Sequence, residues 1–235
     1  MDDFIIEIKN AYPDELCDEF LHEWVTPKEH LMSKYHPGLP MDIHLKMKSS
    51  QDIRFQLEYE GNIAPNPRHL LLNAKYQNIM TNVKRKYTDI LIEKGLDRRS
   101  MVPPESYIFQ EYVVHSEQTG LVMSKTDPGQ YYNWHVDSVV GELAIHHPRR
   151  VLTCILYLND MDEDAGGCTE FTNGRSVRPE KGKVLIFPAT PQYLHRGATV
   201  NKGSKYVITT FAVEPELEER FAVPFKLPFI VKPDH

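Results

Sequence analysis

From about residue 103 onward, the chain consists of short segments rich in β-branched and aromatic residues. Seven of these segments are predicted to be strands: residues 107–114, 120–124, 131–136, 151–158, 169–171, 183–187 and 206–213. Turn-forming sequences separate them, the clearest being Asp127-Pro128-Gly129 and Asp164-Ala165-Gly166-Gly167. Short strands at nearly even spacing are typical of a β-sandwich or jelly roll.

The first third of the chain instead shows the spacing of amphipathic helices. Leu16, Phe20 and Trp24 recur every four residues, which places them on one face of a helix. A second helix is predicted to begin at Asn66 and Pro67, an N-cap residue followed by proline at the first helical position. We expect these helices to pack on one outer face of a sheet, the usual way to bury an amphipathic stripe.

The composition excludes several classes of protein. With 235 residues, of which 41% are hydrophobic and 26% charged, the chain buries a sizeable core and is not disordered. The formal net charge of −6 argues against a protein that binds nucleic acid by neutralising phosphates. There is no run of eighteen apolar residues, so no membrane span is predicted.

Cysteine usage and the first residues suggest a compartment. Cys17, Cys154 and Cys168 are an odd number and lack Cys-x-x-Cys spacing, so neither a disulfide framework nor a zinc ribbon is expected. The first residues also lack the basic start and long apolar core of a signal peptide. We therefore expect a reducing, cytoplasmic setting.

One short stretch carries metal-binding chemistry. His135 and Asp137 are two residues apart on a predicted strand, so both side chains point to the same face. His195, which follows the strong strand at residues 183–187, is the best candidate for a third ligand. Two histidines and one carboxylate form the facial triad of non-haem Fe(II) oxygenases, which leaves metal positions open for other ligands.

A buried cation would complement such a site. Lys205 opens the last predicted strand, and Thr209 lies four residues later on the same face. An ammonium group and a hydroxyl group on one wall suit a dicarboxylate, one end of which chelates the metal while the other pairs with Lys205. The alternative is an ordinary lysine at a strand end that extends to water.

Several motifs in order carry a family resemblance. The pattern Gly-x-x-Tyr-x-x-His-x-Asp is formed by Gly129, Tyr132, His135 and Asp137. Residues 150–159 read Arg-x-x-Thr-x-x-x-Tyr-Leu-Asn, and residues 166–171 read Gly-Gly-x-Thr-x-Phe. With His195 and Lys205 following in order, the segment from about residue 103 to residue 213 resembles the catalytic core of the Fe(II)/2-oxoglutarate-dependent dioxygenases, prolyl 4-hydroxylase-like branch.

The resemblance implies a mainly β fold: a double-stranded β-helix (jelly roll, cupin-like) with the N-terminal helices packed on one sheet. It implies a single catalytic domain over residues 1–235, with helical support in 1–102, the core in 103–215 and a tail in 216–235. The expected cofactors are Fe(II), the co-substrate 2-oxoglutarate, O2 and, as a reductant, ascorbate. The implied reaction hydroxylates an unactivated C–H, foremost a prolyl residue of a peptide or protein, and converts 2-oxoglutarate and O2 to succinate and CO2.

The resemblance also assigns residues to the reaction. Fe(II) is bound by His135, Asp137 and His195, and these three residues form the catalytic centre. The C5 carboxylate of 2-oxoglutarate pairs with Lys205, assisted by the hydroxyl groups of Tyr157 and Thr209.

Three further residues are expected to contact the substrate: Arg150, Tyr132 and Phe211. Phe211 stands where prolyl hydroxylases often carry tryptophan, and Thr126 stands where the family often has a tyrosine. Both departures bear on prolyl specificity more than on oxygenase chemistry.

Other functions fit the same residues. The enzyme alternative is a hydroxylase of another residue or of a small molecule such as an amino acid. The non-enzymatic alternative is a jelly-roll protein that binds metal without turnover, although Lys205 would then have no purpose. A zinc hydrolase on a cupin-like barrel would use the same ligands without 2-oxoglutarate. No nucleic-acid or membrane partner is expected, and the oligomeric state is not predicted.

Overall fold

The computed structural model describes residues 2–25, 47–59, 61–62, 64–96, 113, 117–138 and 150–213. The predicted tail at 216–235 lies outside the described residues, as does the predicted strand at 107–114 except for Val113. Within the described part of the chain, no helix is long and apolar enough to cross a membrane.

The described strands pair antiparallel and form two sheets. The strands, in chain order, are β1 (Ile6–Ile8), β2 (Gln51–Arg54), β3 (Glu117–Gln118), β4 (Val122–Thr126), β5 (Tyr132–His135), β6 (Arg150–Tyr157), β7 (Thr169–Phe171), β8 (Ser176–Val177), β9 (Val184–Pro188), β10 (His195–Gly197) and β11 (Lys205–Val213). The major sheet has the order β1-β9-β6-β11-β4-β2, and β3 also pairs with β11. The minor sheet has the order β5-β10-β7-β8.

Among the described residues, two long α-helices support the major sheet. Helix α1 spans Asp14–Val25, and helix α2 spans Pro67–Glu93. The side chain of Asn66 accepts hydrogen bonds from the backbone N–H groups of Arg68 and His69, so it caps α2 as its sequence predicts.

The helices bury their apolar faces on the outer face of the major sheet, which confirms the predicted packing. The helical residues in this core include Leu16, Phe20, Leu72, Tyr76 and Met80. The sheet residues they share it with include Met123, Cys154, Leu156, Ile186 and Ile208.

A second core lies between the two sheets. The major sheet contributes Ile155, Leu185, Phe187 and Val207, and the minor sheet contributes Phe171 and Val177. Because side chains alternate along a strand, each major-sheet strand faces the helices with one set of residues and the minor sheet with the other. The mainly β, jelly-roll fold predicted from the sequence is confirmed.

Some strand boundaries differ from the sequence prediction. The alternation at residues 53–57 predicts a strand there, but the pairing with β4 covers Gln51–Arg54. The strand predicted at 131–136 ends at His135, so Asp137 lies in the bend that follows β5 rather than on the strand itself. Strands β1, β3, β8 and β10 have only two or three residues each and were not predicted, since so short a segment seldom shows a clear period of two.

Candidate functional site: a two-histidine, one-carboxylate cluster

The fold brings together three residues that are 60 positions apart at their extremes. His135 is the last residue of β5 and His195 is the first residue of β10, and these two positions lie opposite each other in the antiparallel pairing. Asp137 follows β5 by two residues. One potential ligand atom from each of the three residues lies within 4.8 Å of the other two.

Both imidazole rings are oriented by backbone carbonyl groups. Nδ1 of His135 lies 2.7 Å from the carbonyl oxygen of Asn133, and Nδ1 of His195 lies 2.9 Å from that of Tyr193. A carbonyl oxygen only accepts hydrogen bonds, so each Nδ1 carries a proton and Nε2 is the nitrogen left to bind a metal. The two Nε2 atoms lie 3.5 and 3.4 Å from the carboxylate oxygens of Asp137.

Asp137 is buried yet ionised. Burial alone would raise the pKa of this carboxyl group. At the low pH where this carboxyl group would take up a proton, the positive charge of the nearby imidazoles, His195 foremost, and the hydroxyl of Thr153 outweigh that effect, so the pKa of Asp137 falls well below its usual range. Thr153 Oγ1 donates to Asp137 Oδ2 at 2.6 Å, and Arg150 Nη1 donates to the Asp137 carbonyl oxygen at 3.1 Å.

His195 is kept neutral by its surroundings. Burial lowers the pKa of His195, and the nearby Asp137 only partly opposes that shift. The ring packs edge-on against Phe187 at 4.7 Å between centroids, and at 5.7 Å from Phe171. Two imidazole nitrogens and one carboxylate are donors that a divalent transition metal accepts, so the residues present fit the iron site that the sequence predicts.

The cluster opens into a cavity of about 360 Å³ between the two sheets. Lys205, at the start of β11, lines the same cavity and is buried. Its ammonium group donates to the Gly167 carbonyl oxygen at 2.9 Å. Burial is the main reason that the pKa of Lys205 is lowered to about 8, with a smaller contribution from the charge of Lys48.

Two glycines form the turn that carries the carbonyl partner of Lys205. Gly166 and Gly167 have φ angles of 69° and 74°, which supports the interpretation of this segment as a tight turn. A Cβ on Gly166 would lie 2.3 Å from the Thr199 carbonyl oxygen. The turn therefore requires glycine where it brings the Gly167 carbonyl to Lys205.

The two hydroxyl groups predicted to assist Lys205 are placed differently. Thr209 lines the cavity on the same face of β11 as Lys205. Tyr157 is fully buried in the core between the sheets, and its hydroxyl lies 2.7 Å from Thr169 Oγ1. Thr169, which was not predicted from the sequence, is the member of this pair that lines the cavity.

The three predicted substrate contacts also line the cavity. The guanidinium carbon of Arg150 lies 3.8 Å from the centre of the Phe211 ring, so these two side chains stack on each other. The ring of Tyr132 lies parallel to that of His135, with 3.6 Å between centroids. Arg150 and Phe211 lie near the end of β11, whereas Lys205 lies at its beginning.

Sequence reasoning missed a polar group on the same cavity wall. It comprises Lys48, Asp52 and Ser124, which join by hydrogen bonds across β2 and β4. It also missed the contact of Thr153 with Asp137, although Thr153 is the threonine of the motif at residues 150–159. The spacing of Lys48 and Asp52 carries no signal of its own, because charged pairs four residues apart are common on helices and loops.

Comparison with known proteins agrees with this geometry. Residues 121–213 match the family model of the 2OG-Fe(II) oxygenase superfamily. Among curated proteins, the 2-oxoglutarate and iron-dependent oxygenase domain-containing protein 3 of Xenopus tropicalis is 32% identical over 99 residues, which are 40% of this chain and 29% of that protein. A PKHD-type hydroxylase of Synechococcus is 24% identical over 106 residues, 44% of this chain and 45% of that protein. The chain thus spans less than half the length of these relatives.

The likeness to solved structures covers nearly the whole chain. The collagen prolyl hydroxylase of Paramecium bursaria Chlorella virus-1, solved as a 2OG complex, matches with a TM-score of 0.55 and 17% identity over 91% of this chain and 97% of that one. A prolyl hydroxylase of Trichoplax adhaerens, solved with a peptide fragment of the hypoxia inducible factor oxygen degradation domain, matches with a TM-score of 0.57 and 13% identity over 94% and 87% of the two chains. These matches show a shared fold.

The matched segment contains the complete residue set of the site. His135, Asp137 and His195 lie within residues 121–213, and so does Lys205, which lines the same cavity. This segment is therefore similar to the 2OG-Fe(II) oxygenase superfamily, and the chain shares its fold with solved prolyl hydroxylases.

Proposed function

We propose that this protein hydroxylates a prolyl residue of a peptide or protein, as an Fe(II)- and 2-oxoglutarate-dependent dioxygenase. The observation that carries the proposal is the pairing, in one cavity, of the His135–Asp137–His195 cluster with the buried ammonium of Lys205. A protein that only bound a metal would need the first of these and not the second.

The residues of the cluster would hold Fe(II). The Nε2 atoms of the two histidines and the carboxylate of Asp137 face one another. Hydrogen bonds to Nδ1 of each histidine and to Oδ2 of Asp137 already fix these side chains. Such outer contacts reduce the reorganisation that metal binding requires. When bound, iron and 2-oxoglutarate supply the oxidising chemistry, in which O2 and 2-oxoglutarate become succinate and CO2 while a C–H becomes C–OH.

Lys205 would bind the distal carboxylate of 2-oxoglutarate. The ammonium is protonated at neutral pH, since its pKa of about 8 still lies above 7. A charge-assisted hydrogen bond in a buried pocket is strong and directional. Thr209, on the same face of β11, offers a hydroxyl to the same end, and Thr169 links that end to Tyr157.

The opposite end of the cavity would receive the substrate. Arg150 is fixed by the Phe211 ring and by the Asp137 carbonyl, so it presents its remaining N–H groups in a defined direction. Guanidinium groups bind carbonyl and carboxylate oxygens, both of which a peptide offers next to a prolyl ring. A peptide substrate is supported by the Trichoplax prolyl hydroxylase, whose structure contains a peptide fragment.

The test is an anaerobic titration of metal-free protein with Fe(II) and then with 2-oxoglutarate. We expect the visible charge-transfer band of an iron–oxo-acid chelate in the wild type. We expect no band in His135→Ala, and a higher 2-oxoglutarate requirement in Lys205→Ala. Bound metal without a band would refute the proposal and would favour a metal-binding protein or a zinc hydrolase.

The substrate is then identified by turnover. Proline-containing peptides, free proline and other free amino acids would be compared by succinate release and by a mass gain of one oxygen atom in the product. Hydroxylation of peptides alone supports the proposal, whereas turnover of a free amino acid alone would contradict it. Ascorbate should be varied in the same assay, because the family resemblance implies it as a reductant.

A further inference from the structure

A buried ion pair lies on the cavity wall beside the metal cluster. The Lys48 ammonium donates to both carboxylate oxygens of Asp52, at 2.9 and 2.8 Å, and lies 3.3 Å from Ser124 Oγ. Ser124 Oγ in turn donates to Asp52 Oδ1 at 2.7 Å. The side chains of Lys48 and Asp52 are only 8% and 9% exposed.

Fold stability alone does not explain this pair. Removing two charges from water costs free energy that their mutual attraction often fails to repay, and apolar replacements of buried pairs are often neutral or stabilising. The Lys48 ammonium contacts both carboxylate oxygens of Asp52 and the Ser124 hydroxyl, and these contacts hold it in a fixed position.

The backbone around Lys48 ties the two sheets together. Strand β5 lies at the edge of the minor sheet, and β2, which follows Lys48, lies at the edge of the major sheet. Lys48 forms a β-bridge with Tyr132. Ser49 donates its N–H to the Tyr131 carbonyl at 3.0 Å, and its hydroxyl accepts from the Tyr131 N–H at 2.9 Å.

The Lys48 side chain continues this connection to the metal cluster. Its ammonium nitrogen lies over the ring of Tyr132, 5.2 Å from the centroid. The imidazole of His135 stacks on the same ring at 3.6 Å, with an angle of 12° between the planes. The Tyr132 ring thus contacts both a cation fixed by Asp52 and Ser124 and the imidazole of a proposed metal ligand.

We infer that Lys48 is a positioning residue for the metal site. Anchored by Asp52 and Ser124, it holds Tyr132 against His135 and so keeps the first ligand of the cluster in its binding orientation. The inference rests on the proposed function, because it concerns how firmly the cluster binds its metal.

Substitution of Lys48 separates positioning from charge. Lys48→Met leaves Asp52 as an unpaired carboxylate near the cluster, which by electrostatics alone would tighten the binding of a divalent cation. Loss of positioning has the opposite effect, and removal of an outer contact to a metal ligand typically weakens binding by 10-fold or more. We therefore expect the dissociation constant for Co(II), measured by absorption titration of the full chain, to rise about 10-fold in Lys48→Met.

Three further variants complete the test. Lys48→Arg keeps a cation that pairs with Asp52 and stacks on Tyr132, so it should restore most of the affinity. The double variant Lys48→Met/Asp52→Asn leaves no unpaired buried charge and should fold even where the single variant does not, yet still bind Co(II) more weakly. Lys125→Met is the matched control. Lys125 of β4 also pairs with an aspartate, Asp127, but neither residue lines the cavity, so we expect unchanged Co(II) affinity.

Unchanged or tighter Co(II) binding in both Lys48→Met variants, with the wild type binding normally, would overturn the inference. Failure of the proposed function is distinguishable from this outcome. In that case the wild type itself would show no charge-transfer band with Fe(II) and 2-oxoglutarate, whatever its affinity for Co(II).

Discussion

At the scale of single residues, the site depends on groups whose charge is set by burial. Asp137 is buried and ionised because two imidazoles and the Thr153 hydroxyl favour its charged form. Lys205 is buried without a carboxylate at hydrogen-bond distance among the described residues, and its charge is therefore the costlier one. A carboxylate ligand would remove that cost, so the cavity is electrostatically prepared for an anion at this end.

The lowered pKa of Lys205 predicts a pH dependence of co-substrate binding. The pKa falls from 10.5 to about 8, so the ammonium is charged below pH 8 and loses its proton above it. Because the carboxylate binds the charged form, the dissociation constant of 2-oxoglutarate should rise about tenfold per pH unit above pH 8. The measurement is a titration of metal-loaded protein with 2-oxoglutarate between pH 7 and 9.5.

Lys205→Arg provides the control for this titration. A guanidinium stays protonated over the whole range, so this variant should bind 2-oxoglutarate with an affinity that does not follow the lysine titration. An equal slope in the two proteins would assign the pH dependence to another group and contradict the prediction.

At the scale of elements, the turn before β7 shapes the co-substrate end of the cavity. Gly166 has φ 69° and ψ −150°, a backbone conformation that is essentially restricted to glycine. A Cβ there would also lie 2.3 Å from the Thr199 carbonyl oxygen, so the turn would have to move. Since Gly167 offers its carbonyl to Lys205, that movement would reach the ammonium group.

Gly166→Ala is therefore expected to lower stability and co-substrate affinity together. We expect a loss of about 2 kcal/mol or more in the free energy of unfolding, from strain and the backbone clash combined. Gly174→Ala is the matched control: its φ is 90°, but nothing lies within 4 Å of the added Cβ, so it should cost strain alone. Denaturant unfolding and 2-oxoglutarate titration of both variants test this. A normal affinity of Gly166→Ala for 2-oxoglutarate would show that this turn does not shape the binding site.

The elements also show where sequence reasoning succeeds and where it stops. Strands β6, β9 and β11 were predicted because each is a long run of β-branched and aromatic residues. Helix α2 was predicted because Asn66 and Pro67 mark its beginning. Strand β10 has three residues and was not predicted, although its first residue, His195, was recognised as a candidate ligand.

The missed part of the site depends on long-range pairing. Lys48 meets Ser124 and Tyr132 only because β2 pairs with β4 while its preceding residues bridge to β5. No local spacing encodes that contact, since the partners are 76 and 84 positions apart in the chain. His135 and His195 are also far apart, at 60 positions, but each could be recognised on its own as a residue type that binds metals.

At the scale of the whole molecule, the metal cluster joins the two sheets. His135 and His195 belong to the minor sheet, whereas Asp137 is held by Thr153 and Arg150 of the major sheet. Separating the sheets would therefore separate the ligands, and the unfolded chain would not retain the site. A metal that binds this cluster stabilises the folded state by mass action.

This linkage predicts a hierarchy of thermal stabilities. At a metal concentration 100 times the dissociation constant, the gain is about 2.7 kcal/mol. For a domain of this size, each kcal/mol raises the melting temperature by roughly 2–4 °C, so a rise of about 5–10 °C is expected with Mn(II) or Co(II).

A chelating co-substrate adds its own binding free energy only where the metal is present, so 2-oxoglutarate should raise the melting temperature further in metal-loaded protein and much less in metal-free protein. His135→Ala should lose the rise in melting temperature caused by the metal. Lys205→Ala should keep that rise but lose most of the further rise caused by 2-oxoglutarate. Equal stabilisation of the wild type and His135→Ala by metal would show that the ion binds elsewhere, and the cluster would then have to be understood as a hydrogen-bonded polar core.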